Sequence, residues 1–116
     1  MKLPALFNGL RPELEKVDSA ILNSFEYAIP FVKNMSRYMA KAGGKRIRPA
    51  LVLLSSRAVS HPKPVVPSAN LTWIAASAEL IHLASLIHDD VLDRSELRRG
   101  RKTLNRLWGN TVSVLL

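Results

Sequence analysis

Apolar positions recur at helical spacing along most of the chain, so the predicted elements are helices. Val17, Ile21, Leu22, Phe25 and Ala28 follow the segment Arg11-Pro12-Glu13-Leu14-Glu15. Proline in a first turn and acids at the positive end of the helix dipole mark that segment as a helix start. Pro30 closes this helix or opens the next, which runs from about Phe31 to Ala42 and stops at Gly43-Gly44. Pro49 opens a third, carrying Leu51, Leu53, Leu54 and Ala58. Prolines at 62, 64 and 67 make His61 to Pro67 a loop. A long helix follows, from about Ser68 to Val91 or Leu92. Arg94 to Lys102 is polar, charged and contains Gly100, so it reads as a loop, and Thr103 is placed to cap a further short helix. No strand is expected, because Val65-Val66 is too short and lies between prolines. No internal repeat is present.

Composition fits this picture. The chain has 116 residues, 47% of them hydrophobic, which is one ordinary globular domain and excludes a disordered tail or a collagenous chain. With no cysteine, disulfide frameworks, iron–sulfur clusters and thiolate zinc sites are excluded. Met1 to Phe7 is too short and too Pro-broken for a signal peptide. Leu71 to Ile87 is apolar but contains Glu79 and His82, so it reads as a buried helix rather than a transmembrane segment. The expected location is cytoplasmic. The run Val112-Ser113-Val114-Leu115-Leu116 is apolar where a terminus is usually polar, so the chain is expected to be a fragment of a longer protein.

Charge narrows the partner. Seventeen Lys and Arg against nine Asp and Glu leave a net charge of +8, which favours nucleic acid, an anionic membrane or a phosphorylated small molecule. Three acids end the long helix in His88-Asp89-Asp90-Val91-Leu92-Asp93. On a helix Asp89 and Asp93 stack on one face, with Asp90 about 100° away. Acids at a helix C-terminus oppose the dipole. Hard divalent cations such as Mg²⁺ are held by few carboxylates with water and phosphate. Metal binding by Asp89, Asp90 and Asp93 therefore competes with a plainly solvated acidic end.

Gly43-Gly44-Lys45-Arg46-Ile47-Arg48-Pro49 lets backbone and the cations Lys45 and Arg48 approach an anion, though its glycines and lysine taken alone read first as a solvated turn. It lacks P-loop spacing. Arg98-Arg99-Gly100-Arg101-Lys102 follows the acids closely. Over residues 89–102 four acids (Asp89, Asp90, Asp93, Glu96) are mixed with five bases (Arg94, Arg98, Arg99, Arg101, Lys102), which suits a metal–phosphate site better than a DNA phosphate track. Glu79, His82, Leu86, Asp89 and Asp93 recur at spacings of 3, 4, 3 and 4 and are expected on one helix face.

GGKRIRP, then ELIHLASLIHDDVLD, then RRG, in this order, resembles the N-terminal part of the trans-type polyprenyl diphosphate synthases, most strongly over residues 43–110. The resemblance implies an all-α fold, the N-terminal helices of that family's helical bundle, and head-to-tail condensation of isopentenyl diphosphate with an allylic diphosphate. By resemblance Asp89 and Asp93 ligate Mg²⁺ on the allylic diphosphate, with Asp90 in the same cluster, and Arg98 contacts that diphosphate. Lys45, Arg48, His82 and Arg99 hold isopentenyl diphosphate. The growing product runs below the first Asp, where Ala84 and Ser85 are small, so a medium-to-long product is expected. The family's second Asp-rich motif has no counterpart here, since no Asp follows Asp93. The isolated chain is accordingly expected to be inactive, and its complete parent to be a homodimer. Two alternatives stand beside this one: a non-catalytic truncated homologue that binds a partner subunit or prenyl diphosphates, and a small basic nucleic-acid-binding protein. Against the latter, no helix-turn-helix or aromatic-interleaved basic face is present.

Overall fold

A computed structural model describes residues 5–60 and 68–116. The expected loop from His61 to Pro67, and the first four residues of the expected non-signal start, lie outside the described residues. A 3₁₀ turn (Ala5–Leu10) leads into α1 (Arg11–Ser24), α2 (Pro30–Lys41), α3 (Ile47–Ser60) and α4 (Ala69–Leu92). A two-stranded antiparallel ladder, β1 (Leu97–Arg98) and β2 (Arg101–Lys102), precedes α5 (Leu104–Trp108) and α6 (Asn110–Leu115). Among the described residues the fold is all-α apart from this ladder.

The helix boundaries follow local chemistry. Pro30 takes the first position of α2, where its missing N–H costs nothing. α2 ends at Lys41, and Gly43 adopts a left-handed φ of 78° that a residue with a Cβ resists. α3 starts at Ile47, two residues before the expected Pro49, because Pro49 fits inside the first turn.

Two expectations are corrected. The stretch from Arg94 to Lys102 is not all loop: Leu97 pairs with Lys102 and Arg98 with Arg101. Arg99 and Gly100, with φ of 52° and 75°, supply the two left-handed positions of a tight hairpin turn whose twist matches the strands. Glycine at the second position was visible in the sequence; an arginine at the first hid the turn. Thr103 does sit at the N-cap of α5, but its side chain makes no capping bond. Its hydroxyl donates instead to the Ser95 carbonyl at 2.9 Å.

The chain divides into two compact units. The first comprises the residues up to Ser24 and Gly44–Leu80. Its core is Phe7, Leu10, Leu14, Ala50 and Leu53, with Leu71 packed against it. Burying a leucine such as Leu14 contributes about 1.5–3 kcal/mol relative to exposure. The second unit comprises Phe25–Gly43 and Ile81–Leu116. Met35, Met39, Ile87 and Leu104 form its core, with Tyr38, Trp108 and Val112 against them. By length and composition alone α4 could cross a bilayer. It carries a buried ion-paired glutamate, Glu79, which is the arrangement of a helix packed in protein.

Candidate functional site

α4 sorts its acids by face. Ala76, Glu79, Leu83, Ile87 and Asp90 are buried, at spacings of 3, 4, 4 and 3. Eleven residues, the separation of Glu79 from Asp90, is close to three whole turns at 3.6 residues each, so these two acids align. Along the expected stripe the residues differ in burial. Glu79 is buried, His82 and Leu86 are half-buried, and Asp89 and Asp93 are exposed.

Asp90, 3% exposed, is held by Arg98. The guanidinium Nε donates to Oδ1 at 3.0 Å and Oδ2 at 3.1 Å, and Nη2 donates to Oδ1 at 2.8 Å. The hydrogen bond with Asp90 raises the Arg98 pKa above its ordinary value, and the charges of Asp90, Asp89 and Asp93 add to it against the opposing effect of burial. The turn after α4 is closed by the Ser95 N–H donating to the Asp90 carbonyl at 2.9 Å, with Arg94 at a φ of 53°. The Ser95 carbonyl in turn accepts from Thr103 and from Asn105 Nδ2, each at 2.9 Å. Arg99 Nη1 donates to the Gly43 carbonyl. The side chains of Arg98 and Arg99 thus tie the hairpin to the acidic end of α4 and to the Gly43 carbonyl.

Asp89 and Asp93 lie one turn apart, the Asp93 N–H donating to the Asp89 carbonyl at 2.8 Å. Both are exposed, and two hard carboxylates on one face fit a Mg²⁺ ion, which takes one or two carboxylates and completes its shell with water and phosphate. Among the described residues no group of three or more His, Cys, Asp or Glu is arranged to hold a metal by itself. Asp90 points inward to Arg98. His82 is half-buried, and its carbonyl accepts from Ser85 Oγ at 2.7 Å. Ala84 and Ser85 are exposed.

In the first unit Lys45 and Arg48 are exposed, while Arg46 between them is 6% exposed with a left-handed φ of 50°. Its Nε donates to Asp18 Oδ1 at 2.6 Å and its Nη1 to Glu79 Oε1 at 3.0 Å. The motif's spacing points to Lys45 and Arg48, whereas the cation that is buried and paired is Arg46. The available signal was Glu79, since an acid in the middle of an apolar helix requires a cationic partner.

The profile of the polyprenyl synthetase family matches residues 29–116. The chain belongs to that family. It is 39% identical over 105 residues to octaprenyl diphosphate synthase of Haemophilus influenzae, covering 90% of this chain and 30% of that protein. It is 36% identical over 114 residues to heptaprenyl diphosphate synthase component 2 of Geobacillus stearothermophilus, covering 98% of this chain and 34% of the relative. Among solved structures, a decaprenyl diphosphate synthase from Rhodobacter capsulatus superposes with a TM-score of 0.80 at 38% identity, covering 95% of this chain and 33% of that one. The chain therefore spans about a third of the length of the relatives it matches.

Proposed function

We propose that this chain supplies one diphosphate-binding part of a polyprenyl diphosphate synthase. The product would be a medium-to-long polyprenyl diphosphate, made from isopentenyl diphosphate and an allylic diphosphate. The observation that carries the reading is the pair of exposed carboxylates, Asp89 and Asp93, next to a hairpin presenting Arg98 and Arg99. Family membership and relatives named for octaprenyl, heptaprenyl and decaprenyl synthesis support it.

The chemistry follows from the groups. Diphosphate is a poor leaving group until its charge is neutralised. Mg²⁺, held by Asp89 and Asp93, would supply Lewis-acid stabilisation of that charge. Arg98 would reach the same diphosphate from the hairpin. Departure of diphosphate leaves an allylic cation, the double bond of isopentenyl diphosphate attacks it, and a proton is lost. Lys45 and Arg48 of the first unit, and His82 and Arg99 of the second, are each proposed to bind the diphosphate of isopentenyl diphosphate. Small side chains at Ala84 and Ser85 leave room for a growing product. A homodimer is proposed for the complete enzyme.

Because the chain covers about a third of its relatives, turnover is proposed to need the remaining part of the enzyme. The test is a prenyl-transfer assay on a sample of verified mass, with labelled isopentenyl diphosphate, an allylic primer and Mg²⁺. Mg²⁺-dependent binding of diphosphate without turnover is the expected result. Absence of any diphosphate binding would refute the reading.

A further inference from the structure

The hairpin that carries Arg98 and Arg99 has two residues per strand, too few for a ladder to stand alone. Side chains outside it hold it in place. On β1 the anchor is Asp90, through Arg98. On β2 the anchor is Tyr38 of α2. Its hydroxyl donates to the Lys102 carbonyl at 2.7 Å. The Arg101 guanidinium lies over its ring, 4.3 Å from the centroid. Trp108 meets the ring edge-on, with centroids 5.7 Å apart and planes at 77°. One side chain therefore grips both residues of β2 and the helix that follows. Five residues further on from Tyr38, the Gly43 carbonyl receives Arg99. Arg101, engaged on the ring face, is occupied in holding the strand by a cation–π contact.

We propose that Tyr38 is a positioning residue for diphosphate binding: through β2 it fixes where the hairpin presents Arg98 and Arg99. The inference rests on the diphosphate reading above. Phenylalanine at this position keeps the ring, the Arg101 contact and the Trp108 contact, and removes only the bond to Lys102. Losing one such bond is expected to weaken binding about three- to tenfold.

The test compares the 116-residue chain with its Tyr38→Phe variant, using inorganic diphosphate and Mg²⁺ as probes, by calorimetry. The expected result is a three- to tenfold rise in the diphosphate Kd, with the Mg²⁺ concentration for half-saturation unchanged. Equal affinity for diphosphate would overturn the proposal. So would a loss of diphosphate and Mg²⁺ response together with a lowered Tm, because that is a general structural effect. If the unmodified chain binds no diphosphate, the reading of the site itself fails. Amide exchange then decides the hairpin claim: the Thr103 N–H donates to the Glu96 carbonyl at 3.0 Å across the ladder. Faster exchange there in Tyr38→Phe supports anchoring by Tyr38, and unchanged exchange overturns it.

Discussion

Arg98 and Asp90 form an unequal pair: the carboxylate side chain is 4% exposed and the guanidinium 33%. Removing one partner is therefore not equivalent to removing the other. Arg98→Ala strands a buried carboxylate and is expected to cost about 2–3 kcal/mol, below the range for fully buried pairs because part of the attraction is screened by solvent. Asp90→Ala leaves a guanidinium that water already reaches, and is expected to cost about 1 kcal/mol. Urea unfolding of both variants measures the asymmetry; equal costs would contradict it.

Arg46 is expected to be the most sensitive charged position of the first unit. It and Glu79 are both nearly enclosed, with side chains 6% and 5% exposed. Arg46→Met is expected to destabilise by about 3–5 kcal/mol by leaving Glu79 unpaired. The double variant Arg46→Met/Glu79→Met is expected to recover most of that loss, as a double-mutant cycle in denaturant would show.

Asp89→Asn and Asp93→Asn separate binding from folding. Both side chains are exposed, so stability is expected to change by less than about 0.5 kcal/mol. Mg²⁺-dependent diphosphate binding is expected to fall at least about tenfold in each, since a hard cation loses one of its few carboxylates. Calorimetry with and without Mg²⁺ checks this.

Product length is expected to respond at position 84. Ala84→Phe, placed in a full-length protein carrying this segment, is expected to shorten the product by filling space that the small side chain leaves. Chromatography of the labelled products reads the result, and an unchanged spectrum would sink the assignment.

Glu26 gives a pH signature outside the site. The hydrogen bond and charge of Lys33, joined by Arg37, hold its carboxyl below the ordinary value of 4.5. A depressed folded-state pKa stabilises the fold above the unfolded value, and the contribution is lost as pH falls through the folded value. Because Glu26 is exposed, the effect is small and salt-sensitive. The Tm difference between the native chain and Glu26→Gln is expected near neutrality in low salt and is expected to vanish in strong acid.

The helices were legible because their signals are local. Pro30 at the first position of α2, Gly43 after its end and the long apolar run of α4 act through backbone sterics and hydrophobic spacing, which neighbours in sequence determine. The acidic and basic motifs were legible as types and order of residues, enough to point to the family that the profile match then showed. Tertiary structure decided which member of each motif turns inward. Arg46 rather than Lys45 or Arg48 is buried, because Asp18 and Glu79 are there to receive it. Asp90 rather than Asp89 or Asp93 is enclosed, because three turns of helix align it with Glu79 on the packed face and Arg98 folds back onto it. The hairpin was not legible, since a two-residue ladder has almost no pattern of its own and is held from a distance by Tyr38. Composition and spacing determine which charges a chain carries; only packing determines which of them must find a partner away from water.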